Sequence, residues 1–312
     1  MLLCATPVAA DTLRLDWPMD CTLGESCFVQ NYVDRDPGPA AADFACARRS
    51  YDGHKGTDIA VTDMAAMRDG VDVRAAAPGT VAAMRDGMPD ILFTDPAAPD
   101  ITNRSCGNAV IVDHEDGWQT RYCHMKNGSV QVRSGDIVAA GDVLGQVGLS
   151  GETEFPHLHL SVLQNGKITD PFQPGDAACG DTRNSLWADN VAYVAGGLVS
   201  AGFSATIPEY TSVKDGSAHA ETLQGTAPAL VIWGQVFGSQ EGDSLEFEIT
   251  GDSGQFLSQT VLLDRAQARL FRAVGRKRKN DPWPPGQYQG TVTLIRNGVA
   301  IDQMTTALRV TE

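Results

Sequence analysis

The chain lacks any apolar run approaching the ~20 residues that cross a bilayer as a helix, so no transmembrane segment is expected. It is short of positive charge: 24 Lys and Arg face 39 Asp and Glu, for a formal net charge of −15. A surface of that sign repels phosphate polymers, so nucleic acid is not an expected partner. The same charge argues against passive adhesion to anionic polymers. C-x-x-C is missing, which lowers the case for a structural zinc site built on cysteine. H-E-x-x-H is missing too, and with it the helix-borne zinc motif that carries a glutamate base. Long stretches of helical period are absent. In their place, short alternating segments are separated by many of the 32 glycines and 16 prolines. That pattern predicts short strands and tight turns, and the expected fold class is all-β.

Histidine is scarce as well, with six in 312 residues, and their placement carries the functional argument. Pro156-His157-Leu158-His159-Leu160-Ser161-Val162 reads as a strand. Residues i and i+2 share a face, so His157 and His159 present two imidazoles to one point while Leu158 and Leu160 point into a core. His54 opens His54-Lys55-Gly56-Thr57-Asp58. On a straight strand an H-x-x-x-D pair would be about 13 Å apart, too far for one ion. Gly56 can supply the bend that brings imidazole and carboxylate together. Two nitrogens and one carboxylate oxygen form a known catalytic zinc set with a fourth position open. His124 sits in Tyr122-Cys123-His124-Met125. His114, in Asp113-His114-Glu115-Asp116-Gly117, is expected to be a solvated loop residue, and His219 has no such company.

Further stretches follow in order. They are Gly53-His54-Lys55-Gly56-Thr57-Asp58, Ala77-Pro78-Gly79-Thr80-Val81, Gly107-Asn108-Ala109-Val110-Ile111-Val112 and Thr120-Arg121-Tyr122-Cys123-His124-Met125. Val132-Arg133-Ser134-Gly135-Asp136, Ala140-Gly141-Asp142-Val143-Leu144-Gly145 and Pro156-His157-Leu158-His159 complete the series. From Tyr51 to Phe172 the sequence resembles the M23 family of zinc metallopeptidases, of the lysostaphin or LytM type. The resemblance implies a LytM-like antiparallel β-sheet core with an open groove. It implies one Zn2+ per molecule, held by His54, Asp58 and His159. His124 and His157 would be unligated catalytic imidazoles: one takes a proton from water, and one stabilises the oxyanion or protonates the leaving amine. The implied substrate is a peptide of peptidoglycan, in a cross-link or a stem. Tyr51 has a phenol that could donate to an oxyanion, with core packing as its alternative. The runner-up function is a catalytically inactive LytM-like module that binds or regulates other wall hydrolases. A lysin directed at a competitor's wall is a third reading, less natural for an acidic protein.

Residues 1–10 are apolar with small residues at their end and resemble the tail of a secretory signal cut after Ala10. The expected location is therefore exported, periplasmic or extracellular. Removal of that segment takes Cys4 and leaves Cys21, Cys27, Cys46, Cys106, Cys123 and Cys179. Six cysteines in an exported protein suggest disulfides, with 15 connectivities open. Cys21 and Cys27 bracket a turn-rich loop, and Cys106 and Cys123 flank an expected hairpin folded at 113–117. By elimination Cys46 would then join Cys179. Six buried thiols are the alternative.

The expected organisation is a residual signal segment over 1–10, then a zinc peptidase domain with an N-terminal arm over 11–180. A connector follows over 181–226, with a helix or apolar stretch at 185–202, and a small β-sandwich over 227–312. Strands are expected over 229–236, 244–249, 256–263, 269–274, 288–295 and 299–310. Asn297-Gly298 marks the last hairpin. Met67-Arg68-Asp69-Gly70 and Met84-Arg85-Asp86-Gly87 both read as turns, and 87–105 as a surface insertion. Arg276-Lys277-Arg278-Lys279 is a basic cluster expected in a solvated loop. The sandwich carries no catalytic constellation, and a protein or wall partner is its expected business.

Overall fold

The computed structural model describes residues 13–175 and 178–312. The expected signal segment and Cys4 lie outside them. Of the described residues, 13–60 and 70–193 form one compact unit, and 61–69 with 194–312 form a second.

The first unit is built on short strands: β1 (Cys27–Asn31), β2 (Thr57–Val61), β3 (Asp72–Arg74), β4 (Gly79–Arg85) and β5 (Asn108–Asp113). They are followed by β6 (Trp118–Met125), β7 (Ile137–Val138), β8 (Val143–Gln146), β9 (His157–Gln164) and β10 (Lys167–Thr169). The main sheet runs β1-β2-β9-β6-β5-β4-β7, with β10 also on β9, while β3 and β8 pair separately. Strand β9 is central because one face of it is wholly apolar: Leu158, Leu160 and Val162 are fully buried. Opposite them in register stand Ile59 on β2 and Tyr122 and Thr120 on β6. The Tyr122 hydroxyl accepts the Ala76 backbone N–H, so the buried phenol is satisfied. Truncating Leu160 to Ala in such a layer costs about 2–5 kcal/mol. A second core is aromatic: Tyr32, Phe44, Phe172 and Tyr193 meet with ring centroids 5.0–5.4 Å apart. The arm packs on this unit through the buried Leu15 and Met19. Cys21–Cys27, Cys46–Cys179 and Cys106–Cys123 form disulfides.

The second unit opens with helix α1 (Met64–Asp69) and continues with β11 (Gly197–Ser204), α2 (Tyr210–Asp215) and β12 (Thr222–Gln224). Then come the long strands β13 (Ala229–Ser239), β14 (Ser244–Gly251), β15 (Gly254–Leu262), β16 (Gln267–Lys277), β17 (Gly286–Arg296) and β18 (Val299–Thr311). They make a three-stranded sheet, β11-β13-β16, and a five-stranded sheet, β12-β18-β17-β14-β15. Leu230, Ile232, Phe247, Ile249, Val292 and Leu294 pack in one core. The final hairpin turns on Asn297 (φ 52°) and Gly298 (φ 75°), the paired left-handed residues that Asn-Gly favours.

Three expectations are corrected. Of the two alternatives for 185–202 the helix is absent, and the connector reaches only to 196: from Gly197 the stretch belongs to β11, whose Leu198 and Phe203 pack in the sandwich core. Met67-Arg68-Asp69 ends helix α1 rather than forming a turn, although Gly70 and Gly87 both carry the positive φ expected of turns. In the basic cluster, Arg276 and Lys277 close strand β16, with the Arg276 guanidinium 5.0 Å from the Phe256 ring centroid.

Candidate metal centre

Strands β2 and β9 run antiparallel with Asp58 opposite His159 and Ala60 opposite His157. Directly opposed residues share a face, so Asp58 joins both histidines. His54 arrives from a tight turn in which its N–H donates to the Tyr51 carbonyl and Gly53 takes φ 75°. Gly56 is required by space as well as by the bend: a Cβ there would lie 2.5 Å from His159 Nε2 and 2.8 Å from the Leu160 carbonyl oxygen.

His124 needs a different device. Cys123 is the residue opposite His159, so simple alternation would send His124 to the other face. Its backbone instead lies in the left-handed region at φ 62°. Such a conformation costs a non-glycine residue on the order of 1–2 kcal/mol and must be held by its surroundings. The holding bonds run from His124 N–H to the Cys106 carbonyl and from Gly148 N–H to the His124 carbonyl, with the Cys106–Cys123 disulfide beside them. The imidazole then lies 4.7 Å from the His157 ring and 5.9 Å from the His159 ring, centroid to centroid.

The four imidazoles are oriented from behind. Nδ1 of His54 donates to the Tyr32 carbonyl at 2.7 Å, Nδ1 of His124 to Ser150 at 2.8 Å and Nδ1 of His157 to Phe155 at 2.9 Å. A carbonyl only accepts, so in the neutral rings Nε2 is the bare nitrogen. His159 is reversed: Nε2 bonds Ser161 Oγ at 3.1 Å and Nδ1 faces the centre. Asn31 Nδ2 donates to Asp58 Oδ2 at 2.9 Å, which leaves Oδ1 for the histidines.

His54 Nε2, Asp58 Oδ1 and His159 Nδ1 are 3.1, 3.2 and 2.8 Å from one another. A tetrahedral zinc with bonds of about 2.0–2.1 Å has ligand–ligand edges of about 3.3–3.4 Å. The three atoms therefore fit one face of such a tetrahedron. His124, His157 and His159 form a second group able to hold a metal. His157 Nε2 is 3.4 Å from Asp58 Oδ1, so the two groups adjoin.

Charge agrees with this fit. Burial pushes the Asp58 carboxyl upward, but the imidazoles of His54 and His157 and the hydrogen bonds of His157 and His159 hold it well below the usual carboxylate range. Burial, then the neighbouring His157 and His159, push His124 well down, so it is neutral near pH 7. Burial also pushes His159 down, against the pull of Asp58. For His54 burial is outweighed by Asp58, with help from the Tyr32 carbonyl and Asp34, and its pKa rises. An ionised Asp58 beside a His159 held toward its neutral form suits a divalent cation, whose binding would displace any proton that Asp58 draws onto His54.

Tyr51 is 54 % exposed with its ring 4.4 Å from the His54 ring, so the core-packing alternative for it is excluded. His114 lies half-exposed in the loop after β5, as expected, but it is also tied down: its Nδ1 donates to the Pro78 carbonyl and its Nε2 bonds Thr120 Oγ1. It belongs to the framework, away from the cluster. His219 lies in the second unit and accepts the Phe203 N–H. Sequence reasoning missed Asn31, Ser150 and Ser161. Only Ser161 carried a signal, since it lies two residues beyond His159 on the same strand face.

An antiparallel sheet that buries four convergent imidazoles around one carboxylate defines a candidate metallohydrolase. Residues 52–171 match Peptidase family M23, so this stretch of the protein is an M23 domain. It is 33% identical over 110 residues to the cell division protein DipM of Caulobacter vibrioides, a match covering 35% of this sequence and 17% of that one. It is 35% identical over 89 residues to the DD-carboxypeptidase/endopeptidase Mpg of Neisseria meningitidis, covering 28% and 19%. The matches thus span less than a fifth of the length of these relatives. Among solved structures it is similar to a catalytic-domain mutant of the prophage-encoded M23 protein EnpA from Enterococcus faecalis, with 22% identity, coverage of 50% and 96%, and a TM-score of 0.35.

Proposed function

We propose that this protein is an exported zinc-dependent endopeptidase that hydrolyses peptide bonds in peptidoglycan cross-links or stems. The observation that carries the proposal is the mutual spacing of His54 Nε2, Asp58 Oδ1 and His159 Nδ1, at 2.8–3.2 Å. These residues would hold one zinc ion. Bound there, zinc supplies a Lewis acid for the scissile carbonyl and lowers the pKa of a water toward 7.

His124 and His157 keep Nε2 bare and pointed inward, because their Nδ1 protons are engaged by the Ser150 and Phe155 carbonyls. One Nε2 takes the proton of the attacking water. The other, once protonated, stabilises the negative oxygen developing on the scissile carbonyl or donates to the leaving amine. Burial keeps His124 neutral and ready to accept. Asn31 fixes the rotation of Asp58. Three disulfides support an oxidising compartment, periplasmic or extracellular. The sandwich is proposed as an accessory region for a protein or wall partner, with residues 11–180 carrying the chemistry.

The alternative is an inactive module that regulates other hydrolases. The presence of all five polar groups in one cluster favours the enzyme. The test incubates purified protein with muropeptides, with and without chelator, and identifies new termini by mass spectrometry. New amine and carboxyl termini that vanish with chelator and return with zinc are expected. Intact muropeptides in every condition would leave the regulatory module.

A further inference from the structure

We propose that Arg121 forms a carboxylate-reading subsite beside the zinc-ligand cluster, which rests on the peptidase reading above. On β9 the face opposite the apolar core carries His157, His159, Ser161 and Leu163 in alternation. The register of β6 on β9 sets Cys123 opposite His159, Arg121 opposite Ser161 and Gln119 opposite Leu163. Arg121 therefore stands on the His159 face, one cross-strand pair along. Ser161 links the two places, because its Oγ bonds His159 Nε2 at 3.1 Å.

The guanidinium is held but not neutralised. Arg121 Nε donates to Gln119 Oε1 at 2.7 Å, and Gln119 Nε2 donates to Asp113 Oδ1 at 2.7 Å. That relay fixes the side chain through a neutral amide. The two terminal nitrogens make no hydrogen bond or ion pair among the described residues. Five of the 18 arginines form ion pairs with aspartate among the described residues, and Arg121 is not one of them. Arg35, Arg68, Arg74, Arg183 and Arg296 all meet an aspartate. Arg121, Gln119 and Leu163 also line a solvent-open cavity of about 320 Å³, together with Asp113, whose carboxylate accepts from Gln119.

A half-buried, pre-oriented guanidinium with its fork free is suited to bidentate capture of a carboxylate. Two residues along β9 are about 7 Å, so the group it reads lies one or two residues from the scissile bond. Both the terminal carboxylate of a peptide and a side-chain acid supply that chemistry.

The test uses the full-length protein and three synthetic branched peptides with one common backbone. One has both carboxylates free, and each of the others has one of them as a carboxamide. Calorimetry gives the dissociation constants, with cleavage rates measured alongside. Wild-type protein should bind the doubly free peptide on the order of tenfold tighter than one of the carboxamides, which identifies the carboxylate that is read. Arg121→Gln should bring that ratio close to one, and Arg121→Lys should keep part of it; equal zinc content in both variants reports intact folding. Equal binding of all three peptides by wild type, no binding of any, or a preference that survives Arg121→Gln overturns the proposal. Discrimination in binding without cleavage of any peptide keeps the subsite and removes the peptidase reading instead.

Discussion

The two units solve the problem of stability in opposite ways. The second relies on long, regular strands: β13, β16 and β17 each run 11 residues and β18 runs 13. Its core is almost purely apolar, and its described residues hold no group of ligands able to bind a metal. In the first unit no strand exceeds eight residues, and His54, Asp58, His124 and His157 are only 2–7 % exposed. Buried ionisable groups oppose folding unless they are paired, and a left-handed His124 adds strain. All three disulfides lie in this unit. The lesson is that the cost of a preorganised polar centre is offset locally, by cross-links and by hydrogen bonds behind each imidazole.

The comparison can be broken most sharply at the ligands. Asp58→Ala and His159→Ala should each take bound zinc from about one per molecule to near zero, read by elemental analysis, while thermal unfolding of the sandwich stays where it was. Full zinc occupancy in either variant would remove the ligand assignment. Next in size, His124→Ala and His157→Ala should keep zinc yet lose on the order of 10²-fold or more in hydrolysis rate. Near-native turnover of muropeptides by either one would end its proposed role.

The staples come third. Replacing Cys106 and Cys123 together by alanine should destabilise the first unit by about 2–4 kcal/mol. Differential scanning calorimetry should show one transition moving down and the other fixed; a joint shift would contradict the separation of the two units. The smallest effect concerns titration. Burial raises the Asp170 carboxyl to about 6, against the partial relief of backbone N–H bonds and Arg35. The unfolded protein, with a pKa near 3.8, binds fewer protons between those values, so stability is complete below pH ~4 and falls as pH rises through ~6. Asp170→Asn should flatten that fall and raise stability at pH 7 by on the order of 1 kcal/mol. An unchanged pH profile of the melting temperature would show that Asp170 is already ionised at no cost.

Much of the sandwich was legible because its strands alternate cleanly and end on turn residues such as Asn297-Gly298. Strand β9 was legible for the same reason: the step of two in His157-Leu158-His159 separates imidazole from core without any knowledge of neighbours. What stayed hidden depends on long-range pairing. Asn31 meets Asp58 only because β1 lies beside β2, 27 residues away in sequence. The two hydrogen bonds of His114 were hidden because its partners, Pro78 before β4 and Thr120 on β6, reach it only in the folded sheet. Strand β11 was masked by the glycines at 196 and 197, which approach the β13 backbone and the Phe237 ring too closely for a side chain. Arg121 could be placed next to the cluster only once the β6–β9 register was known.

The central claim is that His54 Nε2, Asp58 Oδ1 and His159 Nδ1 share one zinc ion. Anomalous diffraction at the zinc absorption edge, from crystals of zinc-loaded protein, measures this directly. The account predicts one strong peak per molecule, about 2.0–2.2 Å from each of the three atoms. A peak among His124, His157 and His159 instead, or no peak in the cluster, would contradict it.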